Sequence, residues 1–185
     1  MRIFIAVEMT EDVRQTVGQY IDSIKDNFNN VKWVAPENLH LTFKFLGEVK
    51  KPDIKKIMEC IEMTASEFTP FSMGLNGLGF FPSENNPRVV WIGADGGADH
   101  LLEVFHTLEN CLEKVGFDRE ARTFSPHLTI GRVRKDKKTA IPEGLPEFEP
   151  VRFEINSLTL MKSTLTPQGP IYESTFKSKL THVLT

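Results

Sequence analysis

The chain has little of what usually declares a function outright. Of its 185 residues only two are cysteines, Cys60 and Cys111, so no disulfide framework of the secreted, loop-rich kind is expected. Each falls on a helical pattern, where a small buried apolar residue is the expected role. Apolar runs are short. The first, Ile3 to Val7, is stopped by Glu8 and lacks the length of a signal-peptide core or a membrane span, so a cytoplasmic protein without a membrane partner is expected. Excess charge is missing too, since 22 Lys and Arg against 25 Asp and Glu leave a formal charge of −3. A protein that coats long nucleic acid needs a strongly basic face to displace counterions, and this composition argues against one. No Gly-x-Ser-x-Gly elbow and no phosphate-cradling Gly loop appears.

What is present is an ordinary soluble composition, 40% hydrophobic and 25% charged, at a length that suits one domain or two intimately packed lobes. Within it stands "HLTFKFLG", residues 40 to 47. In a strand, residues i and i+2 share a face, so His40, Thr42 and Lys44 are expected on one side and Leu41, Phe43 and Phe45 on the core side. One such motif is weak evidence, because a half-buried strand can carry His and Thr on its wet face for no chemical reason. The chain then repeats it. Residues 127 to 130 read "HLTI", which places His127 with Thr129 and Leu128 with Ile130.

The surroundings repeat as well. "RIFIAVE" (2 to 8) reads as a strand, and the apolar stripe Val13, Val17, Tyr20, Ile21, Ile24 and Phe28 reads as a helix with Thr10 as its cap. "VKWVAPENLHLTFKFLG" then returns as a strand. "RVVWIGAD" (88 to 95), a helix with Leu101, Leu102, Phe105, Leu108, Leu112 and Val115 inward and Gly116 as its stop, and "ARTFSPHLTIGRV" follow in the same order. Arg2 to His40 is a separation of 38 and Arg88 to His127 one of 39. Each half also carries a hairpin-like pair, in which "LNGL" (75 to 78) matches "INSL" (155 to 158), and a helix opened by Pro52 joins the halves. The expectation is a single bilobal domain over residues 1–185, an α+β fold. Two antiparallel sheets related by a pseudo-twofold axis face each other across a central cleft, with helices on the outer faces. Basic residues follow each motif, Lys44, Lys50, Lys51, Lys55 and Lys56 in one half and Arg132, Arg134, Lys135, Lys137 and Lys138 in the other, which points to an anionic ligand. The charged, Pro- and Gly-bearing stretch 134 to 150 is expected to be mobile.

Two imidazoles across a groove, each with a hydroxyl beside it, fit acid-base chemistry better than metal binding, for which neither motif supplies a third ligand at a set spacing. A phosphodiester is the natural substrate. One neutral imidazole activates water or a hydroxyl, one imidazolium protonates the leaving oxygen, and Thr42 and Thr129 donate to the non-bridging oxygens. His100, His106 and His182 have no Thr partner and are read as surface or helix-face residues.

"MRIFIAVE", "ENLHLTFKFLGE", "FSPHLTIGRV" and "STLTPQGPIYE" together resemble the two-histidine phosphoesterases, and within them the RNA 2',3'-cyclic phosphodiesterases, also called the 2'-5' RNA ligase family. The resemblance spans nearly the whole chain. It implies hydrolysis of a 2',3'-cyclic phosphate at an RNA end, or on a small cyclic nucleotide, to a 2'-phosphate. His40 is then the proton donor and His127 the proton acceptor, with no metal or other cofactor. Separately from the resemblance, the protein is expected to be a monomer. A ligase running the same site in reverse and a nucleotide- or RNA-binding module without turnover are the alternatives. Arg132 matches the family's arginine after the second motif and is expected as a phosphate contact, although strict alternation turns it to the core unless Gly131 makes a bulge. Lys44 follows the alternation to the cleft, and the segment 163 to 173 reads as a turn-rich connection between strands.

Overall fold

The computed structural model describes residues 1–167 and 169–181, so His182 lies outside the described residues. In chain order the elements are β1 (Arg2–Glu8), α1 (Glu11–Ile24), β2 (Val31–Trp33), β3 (His40–Glu48), α2 (Lys51–Ser66), β4 (Phe71–Phe81), β5 (Val89–Asp95), α3 (Ala98–Lys114), β6 (His127–Val133), β7 (Val151–Ile155), β8 (Ser157–Thr166) and β9 (Gly169–Lys179). They build two antiparallel sheets, ordered β3-β1-β8-β9 and β2-β6-β5-β4-β7. With β1 matched to β5 and β3 to β6, the remaining strands match in order, β8 to β4 and β9 to β7. The fold is therefore the duplicated bilobal α+β arrangement expected, with β2 added at one edge.

The halves are interleaved rather than sequential. β4, from the first half, pairs with β5 and β7 in the five-stranded sheet, and the C-terminal hairpin β8–β9 completes the sheet begun by β1. This overturns the match of "LNGL" with "INSL". The first lies inside β4, where Gly77 adopts φ +73° at a register slip, and the second spans the junction of β7 and β8. A shared turn-like composition does not make the two segments equivalent. The stretch expected as one returning strand is also divided. A short 3₁₀ turn at Pro36–Asn38 separates β2 from β3, and β2 joins the other lobe through Lys32 and Arg132. Pro36 lacks the donor a continuous ladder requires, and the chain uses the break to cross between sheets.

Thr10 caps α1 through its hydroxyl, and the stripe Val13, Val17, Tyr20, Ile21 and Ile24 is buried. One apolar core collects Leu41 and Phe43 of β3, Leu128 and Ile130 of β6 and the inner faces of all three helices. Complete burial of each such leucine contributes about 1.5–3 kcal/mol, which is why the alternate positions of both motif strands are apolar. Contrary to expectation, Cys60 of α2 and Cys111 of α3 form a disulfide, with Cα atoms 5.5 Å apart. Each cysteine does lie on an inward helix face, but the two faces meet. Residues 134 to 150, expected to be mobile, hold neither helix nor strand yet are tied down. Arg88 donates to the carbonyl of Lys137, Asn30 to that of Lys138 and Tyr20 to that of Pro146, and Phe148 is buried against Tyr20. Among the described residues no helix is long and apolar enough to cross a membrane.

Candidate active site

His40 and His127 are the first residues of β3 and β6, and these two strands touch across the sheets. Each is preceded by a backbone carbonyl two residues upstream, for His40 at the end of the 3₁₀ turn and for His127 in an irregular segment. The Nδ1 atom of His40 lies 2.7 Å from the carbonyl of Asn38, and the Nδ1 atom of His127 lies 2.7 Å from the carbonyl of Ser125, in both cases two residues upstream. A carbonyl only accepts, so Nδ1 must carry the proton and Nε2 is left as the working nitrogen of each ring. Two copies of one local device thus fix the tautomer and the orientation of both imidazoles.

Aromatic rings hold them in place. His40 packs on Phe4 (centroids 4.8 Å apart) and edge-on to Tyr172 (5.0 Å). His127 packs edge-on to Phe81 (5.0 Å) and near Trp91 (6.1 Å). The indole of Trp91 lies over Gly79 of the neighbouring strand, where an added Cβ would collide with the ring. Burial among these rings is the main cause of a lowered pKa at both histidines, because it penalises the imidazolium. The hydrogen bonds to Asn38 and Ser125 oppose that shift in part.

The two rings differ in charge environment. Glu8 of β1 is the cross-strand partner of His40, whereas the equivalent position opposite His127 is Gly93. Glu8 favours the protonated form of His40, and among the described residues no carboxylate does the same for His127. Glu8 is itself held by Lys177 at 2.5 Å and by the hydroxyl of Thr159 at 3.1 Å, and its pKa is lowered. Burial is the largest influence and acts against that shift, and the bonds from Lys177 and Thr159 with the charge of Arg14 outweigh it. The lobes are therefore alike in backbone and unlike in the charges set around each imidazole.

A second shared device decides what else faces the cleft. In β3 the pairing to β1 skips Phe43, and in β6 the pairing to β5 skips Ile130. Both are β-bulges at the residue after the His-x-Thr triplet. A bulge turns the following side chains over. Arg132 is accordingly exposed and shares the site with His127 and Thr129, the bulge falling on Ile130 rather than Gly131. Its guanidinium charge acts on both imidazoles and on Tyr172, so all three rings surround one locality. The equivalent bulge corrects the reading of the first motif. Lys44 is buried against Glu109 of α3, and Phe45, expected in the core, is 59% exposed. Period-two alternation holds through Phe43 and fails at Lys44. Thr42 and Thr129 remain half-buried on the histidine face.

Beside the histidines, and sharing Arg132, Phe4 and Tyr172 with them, is a cavity of about 540 Å³ that Arg2, Phe45, Ser163 and Leu165 also line. Beyond Tyr172 lies a smaller one of about 160 Å³, where His40 meets Glu8, Arg14 and Glu37. The segment 163 to 173, read as a plain connection, thus supplies a wall of the site, and Tyr172 and Phe45 are site residues that sequence reasoning passed over. His100 and His106 are exposed on α3, as expected, with His100 stacked on Phe71. Among the described residues no group of three or more His, Cys, Asp or Glu side chains is gathered to hold a metal ion.

Comparison with known proteins follows the same lines. A crystal structure of a Thermus thermophilus protein superposes with a TM-score of 0.82 at 28% identity, covering 98% of this chain and 99% of that one. Escherichia coli LigT complexed with 3'-AMP shares the fold, with a TM-score of 0.77 at 23% identity and 98% coverage of both chains. The RNA 2',3'-cyclic phosphodiesterase of Methanocaldococcus jannaschii is 38% identical over 177 residues, 94% of this chain and 97% of that protein. The protein of the same name from Thermotoga maritima is 37% identical over 175 residues, 94% of this chain and 92% of its own length. Residues 12–166 match the profile of the 2'-5' RNA ligase superfamily, and with full-length relatives at this identity the chain belongs to that family.

Proposed function

We propose that the chain is an RNA 2',3'-cyclic phosphodiesterase, working in the cytoplasm as a monomeric bilobal domain over residues 1–185. It opens the cyclic phosphate at an RNA end, or on a small cyclic nucleotide, to a 2'-phosphomonoester, without a metal. The reading rests on one observation above the rest: two imidazoles with Nδ1 anchored to backbone carbonyls and Nε2 left to work, one beside a carboxylate and the other not. His127, with no carboxylate to favour its cation, is the base. Its neutral Nε2 takes a proton from water as the water oxygen attacks phosphorus. The bond from phosphorus to O3' breaks, and His40, whose cation Glu8 favours against the burial that lowers its pKa, delivers its Nε2 proton to that oxygen. One water is consumed, and the product carries a 2'-phosphate and a free 3'-hydroxyl. Thr42 and Thr129 donate to the non-bridging oxygens, and Arg132 neutralises the charge that develops there. Phe4, Phe45 and Tyr172 give the larger cavity aromatic walls suited to a nucleobase.

The direct test is incubation with a cyclic-phosphate-ended oligonucleotide in the presence of a chelator, with the product isomer identified. The expected product is the 2'-phosphate at an undiminished rate. A 3'-phosphate, or a rate abolished by the chelator and restored by zinc or manganese, would contradict the mechanism.

Arg132 allows a separate check. Its charge lowers both imidazole pKa values, so Arg132→Gln moves both limbs of the pH profile of kcat/KM to higher pH while lowering its maximum about tenfold or more. Loss of rate with unmoved limbs would place Arg132 away from the histidines.

A further inference from the structure

Lys44 was expected at the cleft and lies instead in the interior, and what it touches there gives it a role. Its side chain is 6% exposed and that of Glu109, on α3, is 4% exposed. The ammonium group pairs with Oε1 of Glu109 and donates to the carbonyl of Asp118 at 2.6 Å. Oε2 of Glu109 accepts from the backbone N–H of Glu120 at 2.7 Å. Both ends of a buried ion pair are thus spent on the segment between α3 and β6. The same segment carries Phe124, which stacks on Phe105 of α3 at 4.2 Å and parallel to Phe43, the bulge residue of β3, at 5.8 Å. Next comes Ser125, whose carbonyl holds Nδ1 of His127.

We propose that Lys44 and Glu109 are a positioning pair for the second histidine, holding the Asp118-to-Ser125 segment so that the imidazole of His127 stands in register with the strand of His40. The bulge at Phe43 is what makes this possible, since it turns Lys44 inward immediately after the first His-x-Thr triplet. One half's motif strand thereby sets the other half's histidine. A buried pair is a poor source of net stability compared with apolar residues of similar volume, so its value here lies in geometry. The proposal rests on the reading of His40 and His127 as acid and base.

The test uses the full chain with Lys44→Met/Glu109→Leu, which removes both charges together and leaves no orphan ion in the core. The expected variant melts near the parent temperature, keeps KM within about twofold and loses about tenfold to hundredfold in kcat, the scale of a misplaced catalytic group. In nitrogen NMR of the histidine rings, His127 no longer reports a single Nδ1–H tautomer while His40 does. Parental kcat together with an unchanged His127 signal would overturn the proposal. Should the double variant fail to fold, Glu120→Pro decides. It deletes the amide that Glu109 holds, at an exposed loop position, and leaves the buried pair intact. A lowered kcat at constant KM is expected, and a parental kcat overturns the proposal. His127→Ala is run beside both variants. If it remains active the acid-base reading is wrong, whereas an inactive His127→Ala with fully active tether variants removes only the positioning role.

Discussion

His40→Ala and His127→Ala should each lower kcat/KM on a 2',3'-cyclic phosphate by about 10²–10⁴-fold, and the double variant should be hardly worse than either single one. The non-additivity is the sharper part of this expectation. A base without an acid leaves O3' to depart as an alkoxide, and an acid without a base leaves water as a poor nucleophile, so the second loss removes little that the first has left. Thr42→Ala and Thr129→Ala should cost less, about 10²–10³-fold, as lost oxyanion donors do. The pH profile carries the signs. Turnover needs His127 neutral, which fails as pH falls through its pKa, and His40 protonated, which fails as pH rises through its own. Burial lowers both values from the ordinary histidine range, and Arg132 lowers them further, so the bell should be centred at or below about pH 6.5. Glu8 supports the cation of His40 alone and holds the alkaline limb up, so Glu8→Gln should draw that limb to lower pH. Because the rings share one site, the two apparent values belong to the pair. A flat profile between about pH 5 and 9, or an active double variant, would remove the acid-base assignment.

The largest expected effect on stability comes from the disulfide rather than from the site. Cys60 and Cys111 are 51 residues apart, and closing a loop of that length removes chain entropy from the unfolded state worth about 4 kcal/mol. Reduction, or Cys60→Ala with Cys111→Ala, should therefore lower the melting temperature by about 8–16 °C for a chain of this size. Turnover at room temperature should persist, because neither cysteine reaches the cleft and the helices they join remain packed. Thermal unfolding with and without reductant measures this directly. Equal melting temperatures would mean that the reduced unfolded chain already keeps α2 and α3 together. In a reducing compartment the same sulfurs stand as thiols and the chain works at the lower stability.

Period and spacing were enough to locate most of the elements and to single out the two His-x-Thr triplets. Strand periodicity placed Leu41 and Leu128 inward, and His40 with Thr42 and His127 with Thr129 on the opposite face of each strand. Helical periodicity located α1, α2 and α3, and the separations of 38 and 39 residues declared the duplication. These signals are local, since the side chains that make an element also record its period. Whatever depends on the neighbouring strand was settled only when the chain folded. The bulges at Phe43 and Ile130 exist only in the register with β1 and β5, so the exchange of Lys44 for Phe45 and the exposure of Arg132 were invisible in a period of two. The place of β2 in the opposite lobe and of β8–β9 beside β1 follow from long-range pairing, which composition does not encode. The anchors of the two imidazoles are backbone carbonyls, a group every residue has, and a sequence cannot mark which one is left open to accept. Even the difference in charge around two identical motifs came from pairing, which set a glutamate opposite one histidine and a glycine opposite the other.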